Sequence, residues 1–321
     1  MRTQTLGRRG LGILSQQKAV VAVVGMMVLM MFFRTNFYTS FNLLDLMNSA
    51  SIYMIIAFGI TFVIIAGGID LSVGGTMVIA GIVTIKLMDV MPIIPAMLIA
   101  LVVGAGIGLL NGYLVVYQKT EPLIITLGMG ILLTGIAQQL TDARPIPAMN
   151  PNFMWIANGS TFNLIPNLVI IMAVVLGITH WILRYTEFGR NCYAIGGDYE
   201  VAAHSGIDVR KTKAATFVIS GLLAALGGIM LSSKLNSGSS IYGDATALTV
   251  ISAVVVGGSS LAGGRGSIPK TAIGFMVFGV MENAMNMLGI DSYIQLVLRG
   301  IVIVGILGSD SYSRKRKREA V

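Results

Sequence analysis

Residues 93–117 read IIPAMLIALVVGAGIGLLNGYLVVY, an apolar run without a charged side chain. A helix of that length covers the hydrocarbon thickness of a bilayer, about 30 Å. Working outward, the same texture recurs at Val20–Phe33, Ile52–Ala66, Val73–Ile85, Leu123–Leu140, Leu168–Leu183, Ala214–Leu231, Ala245–Val256, Ala272–Met281 and Ile294–Leu307. Of the 321 residues, 55% are hydrophobic and 11% charged, a ratio far from that of a soluble domain. The expected fold is an all-α polytopic membrane protein with about ten transmembrane helices and both termini cytoplasmic. Residues 1–18 are then a cytoplasmic segment, 19–308 the transmembrane domain and 309–321 a basic cytoplasmic tail. The apolar run after the basic N-terminus ends in Phe32-Phe33-Arg34 with no small-residue cleavage site, as in a retained signal anchor.

Charge distribution sets the orientation. The net charge is +8, from 22 basic and 14 acidic residues. With ten crossings, Arg2, Arg8, Arg9, Lys18, Lys119, Arg184, Arg190, Arg210, Lys211, Lys213, Arg265, Lys270 and residues 314–318 fall inside. Arg34, Lys86, Arg144 and Lys234 fall outside, so the basic excess is on the cytoplasmic side. The tail Arg314–Arg318 then anchors the last helix against anionic membrane lipid, and no nucleic-acid partner is implied.

Several chemistries are unsupported. Cys192 is the sole cysteine, so no disulfide or thiolate metal site forms. His180 and His204 have no paired carboxylates at metal-binding spacing, and no metal or other cofactor is expected. Gly263–Thr271 resembles a phosphate loop, but Pro269 replaces the required glycine and removes an N–H that would hold phosphate. No nucleophile and base are paired, so no catalytic residue is assigned.

Gly104, Gly108 and Gly112 make a smooth stripe suited to close helix packing or to a passage wall. GIDLSVGG (68–75) is either a cytoplasmic turn or a broken helix, with Asp70 or Ser72 capping the next helix or meeting a solute. Asp198–Asp208 predicts a two-turn helix with Asp198 as N-cap, Glu200 in the first turn and Gly206 as the stop, its small residues Ala202, Ala203 and Ser205 leaving a low surface. Glu282 lies inside a span, where an isolated charge costs about 2.5–3.5 kcal/mol. Arg299 lies equally far beyond the connecting loop, and the spacing predicts an intramembrane Glu282–Arg299 ion pair. The polar candidates for a substrate pathway are Asn48, Thr61, Asn111, Gln138, Asn283 and Asn286, with Asp70.

Read together, GIDLSVGG (68–75), GRNCYAIGGDYEVAAHSGIDV (189–209), VVVGGSSLAGGRG (254–266) and NMLGIDSYIQ (286–295) resemble the permease subunits of bacterial ATP-binding-cassette (ABC) importers for ribose and related sugars. The resemblance is collinear over nearly the whole chain. It implies a multi-pass inner-membrane subunit that works as a homodimer with a cytoplasmic ABC ATPase and a periplasmic or lipid-anchored sugar-binding protein. It further implies that loop 184–213 docks on the ATPase through Glu200, Ala202, Ala203, Gly206 and Ile207, and that ATP hydrolysis belongs to the partner. Asp198 where Asn is common, Pro269-Lys270 where small residues are common, and Glu282 where Asn is common depart from the family pattern. The alternative is a self-sufficient sugar transporter coupled to protons through Glu282.

Overall fold

The computed structural model describes residues 18–33, 36–161, 165–243 and 245–318. Residues 1–17, Arg34 and the last three residues, on which part of the charge reading falls, lie outside that range. Each of the ten apolar runs carries a helix. In chain order these are α1 (Lys18–Met31), α2 (Ser40–Ile65), α3 (Val73–Met88), α4 (Ile93–Val116), α5 (Pro122–Thr141), α7 (Asn167–Tyr185), α10 (Val209–Leu235), α11 (Thr246–Val256), α12 (Ile268–Met287) and α13 (Ser292–Arg318). Three shorter helices occupy the connections: α6 (Pro151–Asn158), α8 (Glu187–Gly197) and α9 (Tyr199–His204). Five helices, α2, α4, α5, α7 and α10, are long and apolar enough to cross a membrane. The chain is an all-α polytopic membrane protein.

Burial separates the apolar helices into core and periphery. In α2 83% of the most apolar window is buried and in α10 67%, against 28% in α4 and 17% in α5. A helix that is apolar all round yet mostly uncovered is built for lipid contact; α2 and α10 are the axis. The stripe on α4 packs against α10: Gly104 lies against Gly221 and Ala225, Gly108 against the Phe217 carbonyl, and Gly112 against Ala214. No Cβ fits at Gly104 or Gly108, so the backbones meet directly, as membrane helices do when dispersion rather than water drives association.

The segment between α2 and α3 is a break between two helices. Gly67, at φ +72°, ends α2, and the Gly68 N–H returns to the Val63 carbonyl at 2.8 Å, a glycine stop. Residues 68–71 then run as irregular chain beside α10, from Lys213, whose ammonium donates to the Gly67 carbonyl at 3.3 Å, to Ser220. Helix α3 starts only there, with its first turns fully enclosed.

At the opposite end of α10, two short ladders close the connections. β1 (Ile146–Pro147) pairs antiparallel with β4 (Ser237–Gly238), and β2 (Ser160–Thr161) with β3 (Ile165–Pro166). The Ser233 hydroxyl donates to the Phe153 carbonyl at 2.5 Å and accepts the Ala157 N–H at 3.1 Å, tying α6 to α10.

Candidate functional site

Three groups of the candidate residues are assembled by the fold, at three levels along α10. The first is the connection 184–213. Thr186 caps α8 by accepting the Gly189 N–H at 3.3 Å, and Asp198 caps α9 by accepting the Glu200 and Val201 N–H groups at 3.0 Å each. Gly206, at φ +82°, ends the unit, and Asp208 caps α10 through the Lys211 N–H at 3.1 Å. Ala202 is 3% exposed and packs with Ile195, Ile207 and Val209 in a small apolar cluster. Glu200, Ala203 and Gly206 face outward. So do Tyr199 and Val201, 48% and 62% exposed, two apolar side chains that sequence reading did not single out and that the i, i+3, i+4 geometry around a buried Ala202 exposes.

The α8–α9 unit is seated on glycine. Gly196 lies directly against the Ile65 carbonyl and the Gly264 N–H, and Gly264 donates to that same carbonyl at 2.9 Å. The Tyr193 hydroxyl donates to the Gly266 carbonyl at 2.9 Å. The glycine loop 257–266 is thus a contact plate joining α8 to the end of α2, and its N–H groups at Ser260, Gly263 and Gly264 are taken by the protein's own carbonyls. Burial pushes the Cys192 thiol on α8 up to about 12. The Lys211 backbone N–H, and then its ammonium at 3.0 Å, hold Asp208 below the usual carboxylate range.

The second group is a polar knot at the break between α2 and α3. Asp70, 1% exposed, accepts the Ser72 N–H at 3.0 Å, the Ser72 hydroxyl at 2.6 Å and the Ser220 hydroxyl at 2.7 Å. The Asn111 amide donates to the Ser72 oxygen at 2.7 Å, and the Thr126 hydroxyl accepts the Leu71 N–H at 3.0 Å. The leg, which lies outside both helices, is tied to α5 through Thr126 and to α10 through Ser220, while Asn111 of α4 holds Ser72. Asp70 and Asn111 are enclosed by this knot, while Leu71, Gly74 and Gly75 border a 550 Å³ groove shared with Gly130, Thr134 and Gln138 of α5. Thr61 is enclosed separately, 2.9 Å from the Thr271 hydroxyl.

The third group lies where the first turns of α2 meet the last turns of α12. Arg299 Nη2 is 3.1 Å from Glu282 Oε2. Asn283 exchanges two amide hydrogen bonds with Asn42, at 2.8 and 2.9 Å, and Asn286 Oδ1 accepts from Gln295 at 2.9 Å. Lys234 donates to Ser49 at 2.6 Å and stands 3.6 Å from Asp45 Oδ1. Of these side chains Asp45, Ser49, Glu282, Asn283 and Asn286 border a cavity of about 110 Å³ that Tyr53, Phe275 and Gly279 complete. Asn48, one helical step away, is turned inward with its buried Oδ1 unpartnered among the described residues.

The chain that carries these apolar helices, the capped 184–213 connection and the polar cavity has close sequence relatives. The family described as "Branched-chain amino acid transport system / permease component" matches residues 42–307. The ribose import permease protein RbsC of Haemophilus influenzae is 35% identical over 309 residues, 95% of each chain. RbsC of Bacillus subtilis is 36% identical over 296 residues, covering 91% of this chain and 92% of the relative. The L-arabinose transport system permease protein AraH of Escherichia coli is 33% identical over 294 residues, 89% and 87% of the two chains. No solved structure matches significantly. With matches of this extent, the chain belongs to that family of transport-system permease components, multi-pass membrane proteins rather than enzymes.

Proposed function

We propose that the protein is the membrane subunit of an ATP-driven importer that carries a neutral monosaccharide, such as ribose or a related pentose or hexose, across the bacterial inner membrane. In this reading all ten apolar helices cross, the termini and the α8–α9 connection are cytoplasmic, and two copies of the chain enclose the passage. A separate ATPase binds below, and a sugar-binding protein delivers cargo above. The observation that carries it is the α9 surface, in which Glu200, Ala203 and Gly206 face outward on a unit resting on the junction of Ile65, Gly196 and Gly264. Ala202 and Ile207 serve the same surface from beneath, by fixing α9 on its own bundle.

Force applied to α9 has a short rigid route. It passes through α8 into the end of α2 and the 257–266 loop, and closely packed elements shift as bodies rather than deform. The pathway runs from the Asn283 and Asn286 end toward the Asp70 and Asn111 knot, whose two residues meet a solute only when α4, α5 and α10 part. Proteoliposomes holding the permease, a cognate ATPase and the sugar-binding protein test this: ATP-dependent uptake of monosaccharide that requires all three supports the reading. Uptake driven by a pH gradient with the permease alone would replace it with the proton-coupled alternative.

A further inference from the structure

The cavity between α2 and α12 holds an unusual chemistry for a bundle so apolar. Two carboxylates, Asp45 and Glu282, face it, each drawn to a cation at its edge rather than to the other. Both carboxylates stay accessible, with 57% of the Asp45 side chain and 53% of the Glu282 side chain exposed, so each can meet a ligand as well as its cation. The hydrogen bonds described above account for part of the polar atoms around the space and leave the rest available. Asn283 is fully engaged with Asn42. Asn286 accepts from Gln295 while its amide N–H2 has no protein partner among the described residues, and the same holds for the Tyr53 hydroxyl. The Ser49 oxygen accepts from Lys234, which leaves its hydroxyl proton to donate. Each carboxylate keeps one oxygen outside its ion pair.

From these donors and acceptors around one small cavity, we infer that Asp45, Ser49, Tyr53, Glu282 and Asn286 form a polyol subsite within the permease, which contacts the hydroxyls of a monosaccharide in transit. A sugar hydroxyl both donates and accepts, so it is satisfied where free acceptors and free donors alternate. A zwitterionic amino acid can set its ammonium on one carboxylate, but its aliphatic side chain offers the remaining donors and acceptors no partner, whereas every face of a sugar carries a hydroxyl. Discrimination by unpaired polar groups is the strong kind. The Tyr53 ring lies 6.0 Å from Phe275 and nearly parallel to it, at 13°, so it is held by stacking and its hydroxyl is aimed by packing. The subsite is a filter placed after the binding protein, and it rests on the sugar-import reading.

The test uses a reporter thiol. Gly279 borders the cavity and carries no polar side chain, and a Cβ there meets Ala50 at 3.5 Å, an ordinary contact. Gly279→Cys in the assembled complex is labelled with a small methanethiosulfonate, the native Cys192 being buried. Ribose at about twice its dissociation constant is expected to slow labelling about three-fold, leucine to leave it unchanged, and Tyr53→Phe with Asn286→Ala to abolish the protection. Ribose uptake without protection overturns the subsite and leaves the import reading standing. Protection by leucine instead of sugar overturns both. Should Gly279→Cys fail to assemble, uptake by the Tyr53→Phe complex decides: a KM rise for ribose at fixed binding protein supports the subsite, and an unchanged KM removes it.

Discussion

The Gly264 N–H donates to the Ile65 carbonyl at 2.9 Å, and this one bond fastens the loop that follows α11 to the end of α2, the most buried of the five long apolar helices. Gly196 lies on the same carbonyl from the α8 side, so three distant parts of the chain converge on one peptide group.

Gly196→Val is therefore expected to damage the protein where Gly197→Ala does not. At Gly196 a side chain would overlap backbone on two sides, whereas at Gly197 nothing lies within 4 Å. Overpacking against backbone costs about 1–3 kcal/mol. Thermal unfolding in detergent should show a lowered midpoint for Gly196→Val and a near-native one for Gly197→Ala; equal midpoints would mean that the junction is loose.

Ala202 and Ala203 are neighbours with opposite duties. Ala203→Trp is expected to leave the permease folded and monodisperse while lowering ATP hydrolysis stimulated by sugar-loaded binding protein about ten-fold, equivalent to about 1.4 kcal/mol of docking free energy. Ala202→Trp should instead disrupt the cluster with Ile195, Ile207 and Val209 and reduce the yield of folded protein. Full stimulated hydrolysis in Ala203→Trp would remove α9 from the docking surface.

Asp208 makes the first turn of α10 sensitive to acid. Its carboxyl is held below the ordinary range by the Lys211 N–H and ammonium, so the native state binds the proton more weakly than the unfolded chain. The stabilisation is then complete above the ordinary carboxylate range and fades as pH falls below about 4. Amide exchange at Lys211, corrected for its intrinsic rate, should lose protection in that window, and Asp208→Asn should not show the pH step.

Cys192 should be silent toward maleimides. With its thiol pushed up to about 12 and the side chain buried on α8, almost no thiolate exists at pH 8. Labelling is expected only after denaturation. Rapid labelling of the folded protein would mean that α8 lifts from the bundle.

Local features were the legible ones. The α9 unit is announced by Asp198, Glu200 and Gly206 within nine residues, because caps and stops act over one turn. Helix α2 was read from Ile52 but begins at Ser40: Asn42, Asp45, Asn48 and Ser49 lower the hydropathy of its first turns, and those are the residues that face or flank the polar cavity. A hydropathy window thus hides the stretch where a membrane helix carries chemistry. The Asp70 knot was illegible for a different reason, since Ser220 lies 150 positions away and nothing in either neighbourhood names its partner. The glycine stripe left packing and passage open, and the close approach of α4 to α10 shows packing.

That separation also bears on biosynthesis. While the ribosome is still making the middle of the chain, the leg that follows Gly67 has emerged with its aspartate but without the serine that will hold it. Until α10 is made, that aspartate lacks one of its hydrogen-bond donors, so this part of the fold closes late, by recruitment from a distant stretch of the chain.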